Sequence, residues 1–219
     1  MNSILGIGVA VMVLGRSAAY GQECRPRAPD TATVWATVDY LNGGEGAPAS
    51  QRSVAFETIG VDGTNGCSAV TVIHWDGHIG GGLLIRNASG ATQYRADYRD
   101  PANVRAAGRD RLLVEYEFGR SSGYRERRVV VLCSLGTQLW ATCLDLEKSR
   151  QELIESEDSG GQALELAFDA QVELNGDSLL AHRRVRWRTV SDTTSGPWTS
   201  RDLGLTVLML PSQRTRAVR

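Results

Sequence analysis

One segment constrains the fold of this chain more than any other: Gln162 to Val190, where apolar and polar residues alternate on both sides of Asn175-Gly176. Alternation with a period of two places successive side chains on opposite faces of a strand. Asn-Gly is the dipeptide best suited to the positive φ angles of a two-residue type I′ hairpin loop. With that loop, Leu174 faces Asp177, and counting outward pairs Val172 with Leu179, Ala170 with Ala181, Leu166 with Val185 and Leu164 with Trp187. Phe168 then falls opposite Arg183. The other face sets Asp169 against His182 and Glu165 against Arg186, opposite charges directly across the ladder. A slip by one residue would turn every apolar side chain to the wrong face, so the facing is strongly specified.

The same grammar runs through the rest of the chain. Short runs rich in Val, Thr, Tyr and Trp are separated by turn residues every 8 to 15 positions or so, the signature of an antiparallel meander forming a sandwich or barrel-like domain. Further strands are predicted at Thr33 to Leu41, Ser53 to Gly60, Ala69 to Trp75, Gly82 to Arg86, Thr92 to Arg99, Arg111 to Phe118, Arg125 to Cys133, Leu139 to Leu146 and Leu205 to Leu210. Asp76-Gly77 and Ala88-Ser89-Gly90 are predicted hairpin turns. Two places read as helix. Asp100-Pro101, the alanines that follow and Gly108 carry helix start and stop signals, and Glu147 to Asp158 is acidic enough for one or two turns. The expected fold class is all-β, a single antiparallel domain over residues 22–210 with at most one or two short helices.

At the N-terminus an apolar run from Ile4 to Leu14 is followed by Ser17, Ala18, Ala19 and Gly21. As a helix it would span about 16 Å, roughly half a bilayer core, so it reads as a secretory signal rather than an anchor. No Lys or Arg precedes the run inside the first three residues, a departure from the usual signal. Residues 1–21 are therefore expected to be removed, with cleavage after Gly21 preferred over Ala19. A small residue does not precede Cys24, which argues against lipid attachment. The polar, basic stretch 211–219 is expected to be a disordered tail.

Four cysteines, Cys24, Cys67, Cys133 and Cys143, lie beyond the cleavage point. An even number in an exported chain points to disulfides. Cys133 and Cys143 flank Gly136-Thr137 and form the local pair; Cys24 with Cys67 follows by elimination. None shows the C-x2-C spacing of a metal site.

Composition excludes some functions. The formal charge is −1, with 24 basic residues against 25 acidic ones, so no nucleic-acid partner is expected. Lys148 is the only lysine, a bias that carries no functional message.

Several constellations invite a chemical reading. Gly119-Arg120-Ser121-Ser122-Gly123 has the G-x-S-x-G spacing of a hydrolase nucleophile elbow, Gly80-Gly81-Gly82 resembles an oxyanion loop, and Asp145 or Asp169 with His182 would complete the Ser, Asp, His order. An elbow needs a helix after the serine, whereas Tyr124 onward reads as a strand, so a hairpin loop is the preferred reading. His74 and His78 bracket Asp76, but a two-residue turn at Asp76-Gly77 would pair Trp75 with His78 and point the two imidazoles to opposite faces. His182, Arg184, Arg186 and Arg188 form a basic stripe that Glu165, Asp169 and Glu173 are expected to neutralise. Asp62 to Gly66 and the segment from Asp39 through Asn42-Gly43-Gly44-Glu45 are oxygen-rich but lack calcium-loop spacing. Asn87-Ala88-Ser89 is a glycosylation sequon, meaningful only in a eukaryotic secretory pathway.

Among Trp35, Trp75, Trp140, Trp187 and Trp198, most are expected in the core, and Trp198, after Gly196-Pro197, is the candidate binding aromatic. No cofactor or metal is predicted. The expected function is a non-enzymatic binding or interaction module, secreted or periplasmic, for a small-molecule, carbohydrate or protein ligand. The alternative is a secreted serine hydrolase using Ser121 or Ser122.

Overall fold

The structure, a computed structural model, describes residues 24–41, 43, 53–64, 66–75, 80–96, 101–119, 124–134, 139–155, 162–191 and 194–210. The cleavage segment, the tail 211–219, Asp76, Gly77, His78, Asp100, Ser121, Ser122 and Gly136-Thr137 lie outside them.

Among the described residues one helix, α1 (Thr31–Leu41), precedes eleven strands: β1 (Val54–Gly63), β2 (Gly66–Trp75), β3 (Gly81–Arg86), β4 (Thr92–Arg95), β5 (Pro101–Ala106), β6 (Arg111–Gly119), β7 (Arg125–Ser134), β8 (Trp140–Glu155), β9 (Gln162–Asn175), β10 (Ser178–Ser191) and β11 (Thr199–Met209). They form two antiparallel sheets, ordered β1-β2-β3-β4 and β11-β10-β9-β8-β7-β6-β5. Each is a meander, so every neighbour in a sheet is also a neighbour in sequence. The all-β, sandwich-like expectation holds.

The sheets pack face to face. Val61, Val70, Val72, Leu83 and Ile85 of the smaller sheet meet Val104, Leu112, Val114, Tyr116, Val130, Leu132 and Trp140 of the larger one. On the far side of the smaller sheet, α1 lays Val34 and Val38 on Ile73, Trp75 and Leu84. Both faces of β2 and β3 are thus covered, which is why Val70 to Ile73 and Leu83 to Ile85 are buried without a break rather than at alternate positions. The larger sheet curls. Leu113 and Val129 on β6 and β7 join Leu179 and Ala181 on β10 in a second core, although β10 is not hydrogen-bonded to either strand.

Three sequence expectations are corrected. Thr33 to Leu41 is helix, not strand: Val34, Thr37, Val38 and Leu41 recur at helical spacing and face the sheet, while Asp30 Oδ1 accepts the Thr33 N–H at 2.7 Å as an N-cap. The segment after Asp100 is strand β5, with Pro101 in first position on an edge strand, where its missing N–H disrupts no ladder. Glu147 to Glu155 continues β8 instead of turning into helix. Its charges find partners within β8 and beyond it, Arg150 Nε lying 3.3 Å from Glu147 Oε1 and Lys148 Nζ 2.6 Å from Glu115 Oε2 of β6.

The β9–β10 register differs from the expected one by two residues. Asn175 pairs with Ser178, which makes Gly176-Asp177 the two-residue loop. Gly176 has φ +56 and Asp177 is not in the positive region, as a type II′ turn with glycine at its first central position requires. A shift of two preserves the faces. Leu174 meets Leu179, Phe168 meets Val185, and Glu165 and Asp169 meet Arg188 and Arg184, so the apolar row survives, with Arg183 now opposite Ala170, and the charge pairing survives with new partners. The β2–β3 pairing also departs from the expected one: the Trp75 N–H donates to the Gly80 carbonyl and His74 pairs with Gly81.

Both disulfide pairings hold, Cys24–Cys67 and Cys133–Cys143, and among the described residues no cysteine is free. Two bridges of this kind persist in an oxidising environment. No described helix is long and apolar enough to cross a membrane.

Candidate ligand cleft at the sheet junction

The turn between β5 and β6 is the joint of the molecule. Gly108 (φ +98) and Asp110 (φ 58) adopt left-handed conformations there. Asp110 is the only described non-glycine residue to do so, an uncommon and costly state for such a residue. What holds it is a set of bonds to both sheets. Its carboxylate accepts the Thr64 N–H at 2.8 Å and the Thr64 hydroxyl, its own N–H donates to the Asp62 carbonyl at 2.7 Å, and its carbonyl accepts the Ser134 N–H at 2.9 Å. Asp110 is 4% exposed, so these bonds lie largely out of water.

Beside this joint opens a cleft of about 1080 Å³. One wall is the Cys24–Arg25 strap, tied by its disulfide to the start of β2. The floor is backbone at Gly60, Gly63 and Gly66, and the far wall is Ala106, Gly108 and Arg109. The glycines are required by proximity. A Cβ on Gly60 would stand 2.4 Å from the Cys24 carbonyl oxygen and one on Gly63 2.6 Å from Asp110 Oδ1. Two guanidinium groups, Arg25 and Arg109, line the cleft against one carboxylate, Asp62, which biases it toward an anion.

The residues singled out from sequence do not converge. Gly119 pairs with Arg125, so the G-x-S-x-G segment spans a β6–β7 hairpin rather than a strand-to-helix elbow. Ser121 and Ser122 themselves are outside the described residues. Asp145 binds Arg128 at 2.9 Å and Asp169 faces Arg184, while the carboxylate beside His182, at 3.0 Å, is that of Asp202 rather than of Asp145 or Asp169. The Tyr124 hydroxyl donates to Glu126, which raises the phenol above its ordinary pKa. His74 sits on β2, and Asp39 is on α1 rather than in a loop. Asn87 closes the β3–β4 turn, its Oδ1 accepting from Ser89 and Ala91 at 2.8 Å each. Among the described residues no group of three His, Cys, Asp or Glu side chains is placed to hold a metal ion.

The basic stripe on β10 is neutralised in part: Arg186 lies between Ala167 and Ser200, and Glu173 faces Leu180. Arg188 Nε lies 2.6 Å from Glu165, and Arg184 has Asp169 on one side and Asp202 on the other. The Gly204 N–H, bonded to Asp202, is the main influence holding that carboxyl below its ordinary pKa, with His182 and Arg184 adding to it. A smaller groove of about 230 Å³ is lined by Arg125, Arg127, Arg150 and Arg186 with the carboxylates Glu117 and Asp169, and Arg127 pairs with Glu117 at 3.0 Å.

Trp75 and Trp140 are core, and Trp35, on α1, packs partly buried against the helix–sheet cluster. Trp187 pairs with Leu166 rather than Leu164. Trp198 is 38% exposed, and the guanidinium carbons of Arg188 and Arg186 lie 4.7 and 5.3 Å from its ring centre. Two cations are thus already on the ring.

The cleft itself was missed from sequence. Its signals were present as separate facts: glycines at Gly60, Gly63, Gly66 and Gly108, and a cysteine pair joining Cys24 to Cys67. No family model, curated protein or solved structure matches the chain.

Proposed function

We propose that the protein is a non-enzymatic binding module, exported to an oxidising extracytoplasmic compartment, and that it takes an acidic ligand in the cleft between the Cys24–Cys67 strap and the β5–β6 turn. The observation that carries this reading is that cleft's rigidity: one wall is covalently tied and the other is held by Asp110. Preformed concave sites bind without spending free energy on ordering their walls. Arg25 and Arg109 favour a carboxylate or phosphate, and the volume suits a small ligand or the end of a chain. Export is supported by the apolar run Ile4 to Leu14, by the small residues after it and by the two disulfides.

Isothermal titration with inorganic pyrophosphate, citrate and a galacturonic acid trimer tests the reading. Saturable binding of at least one, weakened tenfold or more by Arg25→Ala with Arg109→Ala and falling as salt rises, is the expected result. Binding that the double variant leaves unchanged would place the ligand elsewhere, and no binding of any of the three would remove the anionic reading.

A further inference from the structure

β11 is the outer strand of the seven-stranded sheet, and among the described residues nothing pairs with its free side. Free edges are usually blunted by charge, proline, a bulge or a covering segment. The opposite edge of the same sheet follows that rule, since β5 carries Pro101, Arg105 and a bulge between Pro101 and Asn103. β4, an edge of the smaller sheet, is stitched to β8: the Gln93 side-chain amide exchanges two 2.8 Å hydrogen bonds with the Trp140 backbone. β11 has no such device from Leu205 to Met209. Its bulge at Gly204 (φ +82) precedes this window and Pro211 follows it.

The register settles which groups face outward. Leu210 N–H donates to the Asp177 carbonyl at 2.8 Å. In an antiparallel ladder, hydrogen-bonded and non-bonded pairs alternate, so Leu208 and Thr206 turn their backbone groups toward β10. Leu205, Val207 and Met209 turn theirs to the open edge. The same three residues carry exposed apolar side chains, at 61, 53 and 72%.

We propose that β11 pairs with β11 of a second copy, antiparallel about a two-fold axis at Val207. Two-fold pairing sets Val207 against Val207 and Leu205 against Met209, giving about six backbone hydrogen bonds and a continuous apolar row. Charge decides for a second copy. A two-fold axis sets a residue on or beside it against its own twin, so a charged residue there would meet a like charge, and Leu205 to Leu210 contains none. The bulge at one end and the proline at the other confine the ladder to this window and so choose its centre.

Sedimentation velocity on the purified protein from about 1 to 200 μM tests this. A concentration-dependent shift from monomer to dimer is expected. Val207→Lys places two ammonium groups on the axis and should weaken the dimer at least tenfold, with Leu205→Lys acting in the same direction and Val207→Thr retaining dimerisation. Circular dichroism of each variant verifies folding. A protein that stays monomeric over the whole range, or folded lysine variants that dimerise as the parent does, would overturn the proposal.

Discussion

Arg111, at the start of β6, places Nη1 2.6 Å from Oδ1 of Asp177 in the β9–β10 turn. Arg111 is separated from Asp177 by 66 residues, and three strands lie between β6 and β10 in the sheet order. The contact exists because the larger sheet curls far enough to bring its hairpin tip back over β6. Arg111 also donates to the Gly176 carbonyl at 3.4 Å, and its neighbour Asp110 grips Thr64 of the smaller sheet. Two consecutive residues therefore hold the β1–β2 turn on one side and the β9–β10 turn on the other.

Arg111→Ala is expected to cost about 2 kcal/mol, because a largely buried side chain loses both its packed stem and its ion pair. Asp177 is 66% exposed, so Asp177→Ala should cost about 1 kcal/mol or less. Urea unfolding of both variants and of the double variant checks this. A double variant whose loss equals the sum of the two singles would show that the pair does not act as a unit.

Asp110 combines a left-handed backbone with the Thr64 clamp. Asp110→Ala should cost about 3 kcal/mol, keeping the backbone strain while leaving the Thr64 N–H unanswered. Asparagine tolerates this conformation and still accepts, so Asp110→Asn should cost about 1 kcal/mol. Thermal unfolding gives the ranking. Equal losses in the two variants would mean that the clamp does not set the geometry of the joint.

Asp30 caps α1, and the Thr33 backbone N–H, joined by the Thr33 side chain, holds its carboxyl below the ordinary pKa. A carboxyl whose pKa is lower folded than unfolded adds stability that is fully present above the unfolded value and disappears as pH falls through the folded one. Acid should therefore loosen α1 below about pH 4. Asp30→Asn keeps a capping oxygen without a titrating proton, so it should flatten that part of the pH–stability curve with little change at neutrality. Unfolding curves at pH 7, 4 and 2.5 measure the difference.

The antiparallel all-β class and both disulfide pairings were legible in the residues: alternation is a period of two, Cys133 and Cys143 flank one turn, and Cys24 with Cys67, 43 residues apart, follows by elimination. The register of β9 and β10 was legible only to within two residues. Both registers keep leucines and valines on one face and opposite charges on the other, and the choice was made by backbone geometry at Gly176. The helix α1 was misread through its Thr and Val content, although Asp30 and the spacing of Val34, Val38 and Leu41 held the helical signal.

What the chain alone determined is that paired ribbons form and which face of each is apolar, since side-chain alternation follows from strand geometry whatever the partner. Only tertiary packing decided that Pro101 to Ala106 and Glu147 to Glu155 are strands, because their propensities were outweighed by the neighbours available to pair with them. The cleft is the clearest case of that second kind. Its glycines, Arg25 and Arg109 are far apart in sequence, and neither spacing nor pattern records a meeting produced by two sheets closing on one another.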